Sequence, residues 1–290
     1  MKTTRRCLLA VAAAGTVLSL SGCAAPPPEA GSIPSERIAE ILASPDRSAA
    51  DRTNDVRRKP DRMLAFIGVH PGWVALDLSA AGGYTTELLA RASGPAGKVY
   101  GQSRPPGTAR PATPPAQPEG PSHPTAAPAA PRPAAPPRPS PLALADRDAK
   151  LRAAGIPAAP IVAVSRPFED PVPPEVAAGG LDLATLMFNY HDLGHLGVDR
   201  AAMNAAVFRA LRPGGVYVVA DHAGRPGTGI SESGTLHRVE EAFVRREIEA
   251  AGFRVMAVGD FLRNPNDPRD KNTPDPPQPK DEFVLKFVKP

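Results

Sequence analysis

The stretch WVALDLSAAGGYTTELLA, residues 73–90, decides how this chain is read. A short apolar run ends in an acid, Asp77. The small residues Ser79, Ala80, Ala81, Gly82 and Gly83 follow, and Tyr84 to Ala90 has helix-forming composition. The expected layout is strand, tight turn, helix. It presents backbone N–H groups at a helix N-terminus to an anionic part of a ligand.

Working outward, strand candidates fall at 73–78, 97–102, 160–165, 181–188, 214–221, 253–262 and 282–288. Helix candidates fall at Ile33–Leu42, Asp51–Ile67, 83–92, 142–154, 199–211 and 235–251, with Pro34 suited to a first helical position. Strand and helix alternate, so the expectation is an α/β fold with a mostly parallel sheet covered on both faces. LRPGG at 211–215 stops a helix before a buried strand. The last two strands follow one another without a helix and are expected to form an antiparallel hairpin at the sheet edge.

Residues 104–141 hold 15 of the chain's 38 prolines and almost no large apolar residue. Such a segment cannot bury enough surface to offset its ordering entropy, so a disordered insertion is expected there. Residues 1–22 read as a signal peptide: Lys2, Arg5 and Arg6, then an apolar run, then small residues. The run Leu20-Ser21-Gly22-Cys23 matches a bacterial lipobox, which makes Cys23 the expected lipidation site. Residues 23–33 form a tether, and 34–290 form the main domain. Export to the cell envelope with a lipid anchor in the membrane is the expected localisation, and Arg5-Arg6 suits a twin-arginine route. The other cysteine, Cys7, lies in the leader, so neither a disulfide nor a Cys-ligated metal is expected.

The net charge of +4 is mostly leader. Without Lys2, Arg5 and Arg6, 31 of the 34 basic residues remain against 30 acidic ones. A near-neutral chain with no basic concentration argues against nucleic acid as a partner.

Seven strands, the small-residue turn after the first and LRPGG before the fifth together resemble the class I S-adenosylmethionine-dependent methyltransferases. The segments LDLSAAGGYTTELLA (76–90), GKVYGQ (97–102), NYHD (189–192), RALRPGGVYVVADHA (209–223), TLHR (235–238) and DFLRNPNDPRD (260–270) resemble, more narrowly, bacterial methyltransferases carrying a secretory leader. The resemblance implies a Rossmann-like fold, S-adenosylmethionine as cofactor and a small-molecule acceptor. It carries cofactor binding onto Asp77, Ser79, Ala81, Gly82 and Gly83. Gln102 stands where the family places a ribose-binding acid, and a neutral amide accepts such a bond more weakly. Ser79 and Ala81 replace usual glycines; a Cβ at positive φ costs about 1 kcal/mol or more. The NAD-type G-x-G-x-x-G pattern fails, because its positions read Ser79, Ala81 and Tyr84.

Ligands of such sheets sit beyond the carboxyl ends of the strands. Asn189-Tyr190-His191-Asp192 follows strand four and Asp221-His222 follows strand five. His191 is the expected general base, oriented by Asp192 or Asp221, with Tyr190 or Tyr84 against the sulfonium. The blander reading is that His191 and Asp192 only cap a turn. A metal-dependent variant, ranked below the metal-free one, uses Asp192, Asp221 and His222, with His191 or His195 in addition. Gly194 argues against a continuous helix from 191 to 195. His237 is expected to open the next helix, within reach of the cleft. His70 and His123 are set aside, and Trp73 and Phe208 are assigned to the core. The competing function is a ligand-binding lipoprotein on a degenerate methyltransferase fold, and metal-assisted hydrolysis ranks last.

Overall fold

The computed structural model describes residues 31–105, 107, 138–272, 274 and 278–290. The leader, Cys23 and most of the proline-rich insertion lie outside the described residues. The strands are β1 (Val74–Leu78), β2 (Lys98–Ser103), β3 (Ile161–Ser165), β4 (Leu181–Met187), β5 (Leu211–His222), β6 (Arg254–Gly259) and β7 (Glu282–Val288). They form one sheet in the order β3-β2-β1-β4-β5-β7-β6. The first five pair in parallel, and β7 runs antiparallel to both β5 and β6. The expected fold class is therefore the observed one.

The helices are α1 (Ser35–Ala43), α2 (Ala49–Arg58), α3 (Pro60–Ile67), α4 (Tyr84–Ser93), α5 (Ser140–Ala153), α6 (Asp192–His195), α7 (Arg200–Ala210) and α8 (Glu241–Ala250). They sit on two faces because alternate strand residues feed two cores. Leu76 and Leu78 of β1 join one core with Val207 of α7 and Val244 and Ile248 of α8. Ala75 joins the other, with Ile38 of α1, Leu64 of α3, Leu89 of α4 and Leu144 of α5. This is the period-2 pattern of a strand buried on both sides.

Several boundaries differ from expectation, among them the start of β5, which lies at Leu211 and takes in the LRPGG run, and the end of β6, which lies at Gly259. The single helix expected over Asp51–Ile67 is two, broken at Lys59, whose φ is 43°. Pro60 causes the break: it disfavours the α region for its predecessor and serves as the first residue of α3. Pro34 is the N-cap of α1 rather than its first residue. The helix expected from 235 begins only at Glu241, because Val239 N–H bonds to His222 O and Gly224 N–H to Val239 O, which holds 235–240 against β5. The insertion expected to run to 141 ends earlier, since α5 starts at Ser140. Among the described residues, no helix is long and apolar enough to cross a membrane.

Candidate functional site

The turn after β1 runs in the left-handed region. Ser79 has φ 56°, Ala81 φ 46° and Gly83 φ 79°. The strain foreseen for a Cβ at 79 and 81 is therefore present. Gln102 holds the turn in place. Its Oε1 accepts from Ser79 N at 3.0 Å, its Nε2 donates to Arg166 O at 2.7 Å, and its own carbonyl accepts from Ala80 N at 2.8 Å. The expectation that Gln102 binds a ribose is corrected. The side chain is fully buried, and both its polar atoms are spent on the protein. Gly83 serves packing as well as the turn: a Cβ there would meet Leu144 at 2.7 Å and Arg147 at 2.8 Å. From α5, Arg147 reaches Gly82 O at 2.5 Å and ties the turn to Asp51 and Glu87.

Asp77 is 2 % exposed. Its two oxygens accept from Thr86 Oγ1 at 2.6 Å and Thr185 Oγ1 at 2.8 Å. Burial pushes its carboxyl up, the two hydroxyls offset only part of that, and the result is a value of about 6.

Two cavities share this turn. One, of about 340 Å³, is bordered by Asp77, Ser79, Ala81, Gly82, Tyr84 and Arg58. The other, of about 420 Å³, is bordered by Ser79, Ala81, Ser103, Ser140, Asp192 and His195. Asn189 borders both. Ser103 Oγ and Ser140 Oγ are withdrawn from solvent and have no hydrogen-bond partner among the described residues. Both residues border the second cavity. Neither was singled out in the sequence. Ser103 sits one residue past Gln102, and Ser140 was hidden inside the expected insertion.

The second centre lies at the ends of β4 and β5. Asp221, fully buried, accepts from His191 N at 2.7 Å, His191 Nδ1 at 2.6 Å and His222 N at 2.7 Å. His191 Nε2 lies 3.2 Å from Asp192 Oδ1. His237 Nδ1 lies 3.0 Å from that same oxygen and His195 Nδ1 3.8 Å. Asn189 Nδ2 donates to the other oxygen of Asp192 at 2.8 Å. Three imidazoles thus surround one carboxylate oxygen. Burial works against a charge on His191, but Asp221 and Asp192 outweigh it and raise the ring to about 10. Burial likewise opposes ionisation of Asp192, yet His191 and His237 hold its carboxyl far below the usual range.

These contacts correct several expectations. His191 is oriented by both acids, as expected; the same two carboxylates favour its protonated form, which works against its acting as a general base. Tyr190 is a core residue. Its hydroxyl donates to Glu247 at 2.8 Å and accepts from Asn204 at 3.1 Å, so it does not face a sulfonium. Tyr84, the other aromatic considered, does border the 340 Å³ cavity, with its hydroxyl on Asp55 at 2.7 Å. The metal set Asp192, Asp221 and His222 is not brought together: Asp221 is saturated by three donors, and His222 Nδ1 lies 3.0 Å from Glu282. His191 caps a four-residue helix, α6, that Gly194 was expected to prevent. A Cβ at 194 would meet Ile230 at 2.7 Å and Ser233 at 2.8 Å, so the glycine is there for packing. His237 does not open a helix but does reach the cleft, at φ 50°.

No family model and no curated protein matches the sequence. Solved structures do match. A methyltransferase of Aquifex aeolicus described as dependent on S-adenosylmethionine superposes with a TM-score of 0.51 at 14 % identity, over 89 % of this chain and 100 % of that one. A chain from the complex of the Haloferax volcanii Trm112 methyltransferase activator with its methyltransferase gives 0.51 at 16 % identity, with the same coverage. The fold is that of the class I methyltransferases. At these identities the likeness concerns the fold alone, and the chemistry of this chain has to be argued from its own cleft.

Proposed function

We propose that this protein transfers a methyl group from S-adenosylmethionine to a small-molecule acceptor. The observation that carries the reading is the left-handed turn from Ser79 to Gly83 at the end of β1, which borders both cavities at the carboxyl ends of the strands. The residues present fit the cofactor. Ser103 and Ser140, which border the cavity, would take the ribose hydroxyls in place of the usual acid by rotating their own hydroxyls toward it. The turn backbone at Ser79, Ala81 and Gly82 would lie against the adenosyl and methionine portions. Arg58, on the wall of the adjoining cavity, would draw the carboxylate. Bound S-adenosylmethionine supplies an electrophilic methyl group, and the protein's task is alignment of the acceptor and removal of its proton.

His191, committed to Asp221 and Asp192, is disfavoured as the group that takes that proton. His195 replaces it. It borders the 420 Å³ cavity, and Ser233 Oγ lies 3.1 Å from its Nδ1 and so orients the ring. The signal-like leader and Cys23 support a lipid-anchored placement outside the cytoplasm, where the cofactor would have to be carried in or supplied.

Calorimetric titration of S-adenosylmethionine and S-adenosylhomocysteine into the full chain tests the reading. Dissociation constants in the micromolar range are expected, with affinity lowered about fivefold in Ser103→Ala, the worth of one hydrogen bond. A folded sample that binds neither molecule overturns it.

A further inference from the structure

We propose that His191, Asp192 and His237 form a site for one divalent transition-metal ion at the wall of the 420 Å³ cavity. One ligand atom from each lies within 4.8 Å of the other two. Two of the three separations are already those of a coordinated set. Asp192 Oδ1 is 3.2 Å from His191 Nε2 and 3.0 Å from His237 Nδ1. Metal–ligand bonds of about 2.0–2.1 Å put the edge of a tetrahedron at about 3.3 Å.

The surroundings are also those of a metal centre. The ring nitrogen of His191 that faces away from Asp192 donates to Asp221 at 2.6 Å. This carboxylate–histidine arrangement fixes Nδ1 as the protonated nitrogen and aims Nε2 at the ion, which takes the place of the Nε2 proton. The ring is anchored a second time through its backbone, because Asp221 accepts from His191 N and Ser233 Oγ donates to His191 O. Asn189 occupies Asp192 Oδ2, which leaves Oδ1 as the coordinating oxygen. His237 is held at φ 50°, a backbone conformation that a histidine adopts at a cost, and that conformation turns the loop 235–240 toward Asp192. The Asp192 and Asp221 carboxylates flank His191 on both sides and balance the charge of a bound cation.

Two imidazoles and one carboxylate select borderline divalent ions such as Zn²⁺, Co²⁺, Ni²⁺ or Fe²⁺ over Mg²⁺ or Ca²⁺, which prefer all-oxygen sites. Asp192 also borders the cavity, so the ion would stand next to whatever the cavity holds, with His195 beside it. The set differs from the one first considered: it keeps Asp192 and the additional His191, and His237 replaces Asp221 and His222. It does not depend on methyl transfer.

The test uses Co²⁺ as a spectroscopic probe and Zn²⁺ as competitor on the full metal-stripped chain. The expected result is one Co²⁺ per chain with visible d–d absorption, displaced by Zn²⁺. Affinity should fall at least tenfold in His237→Ala and in Asp192→Ala, and about 10–100-fold in Asp221→Asn, which weakens the acceptor behind the His191 ring along with the backbone bonds that Asp221 accepts. His70→Ala, far from the cluster in sequence and stacked on Trp73, should bind as the parent does. Circular dichroism on each variant separates lost binding from lost fold, and His237, in a loop, is the substitution the fold tolerates best. Absence of uptake by the folded parent overturns the proposal. So does uptake that is unchanged in both His237→Ala and Asp192→Ala.

Discussion

Asp77 and Asp221 occupy matching places, at or beside the carboxyl ends of β1 and β5, and both are buried. Their surroundings are opposite. Asp77 meets two neutral threonine hydroxyls, and its carboxyl is pushed up to about 6. Asp221 meets two backbone N–H groups and an imidazole that the same contact keeps charged. A buried carboxylate given hydroxyls is left half-compensated, whereas one given a cation and backbone donors becomes the anchor of its neighbourhood. The lesson is that one residue type at one kind of position performs two tasks, and the partners decide which.

The largest effect should come from removing the anchor. Asp221→Ala leaves a buried imidazole and two N–H groups without their acceptor, and a loss of about 3–5 kcal/mol is expected in chemical denaturation. A loss below about 1 kcal/mol would erase the contrast between the two acids. Next is Asp77→Asn. As pH rises from about 4 to about 6, the folded carboxyl keeps a proton that the unfolded chain has already released. Stability therefore falls through that window, and the penalty is complete above it. The shift corresponds to about 3 kcal/mol at most. An amide can still serve both threonines, so Asp77→Asn should stabilise the protein at pH 7, leave it unchanged near pH 3, and flatten the stability profile between.

Third is Gln102→Ala, which strips Ser79 N–H and Arg166 O of their partner and should cost about 1–3 kcal/mol while loosening the turn. A variant as stable as the parent would mean that the turn holds itself. The smallest effect is expected of Ala81→Gly. It relieves a Cβ at φ 46° but adds freedom to the unfolded chain, for a net gain of about 0.5–1 kcal/mol in thermal or denaturant melts.

The strands were legible because each is a short apolar run bounded by turn residues, and the turn at 79–83 because its small residues follow an acid. Even its strain was readable, since Ser79 and Ala81 stand where glycine is expected. What could not be read was which partner each polar group takes. Tyr190 lies within a polar tetrapeptide, yet its ring points into the core toward Glu247, 57 residues away. Gln102 stands at the right strand end but closes a turn 23 residues earlier. His237 and Asp192 meet across 45 residues. Local pattern is silent on such pairings, because they are decided by the crossing of chains and not by periodicity. The break at Lys59 is a different case. Its signal, Pro60, was in plain view, and the helical periodicity on either side obscured it.

The placement of β7 between β5 and β6 has a consequence for how the chain acquires its structure. β6 precedes β7 in synthesis and, among the described residues, pairs with β7 alone. Until residues 282–288 emerge, the growing sheet ends at an open β5, and β6 carries Met256 and Val258 with no neighbour to dock on. Both side chains stay about half exposed even in the finished molecule. That interval is when the protein is most prone to pairing with another copy of itself. Closure of the sheet at β5 thus waits on β7, which follows β6 in the chain.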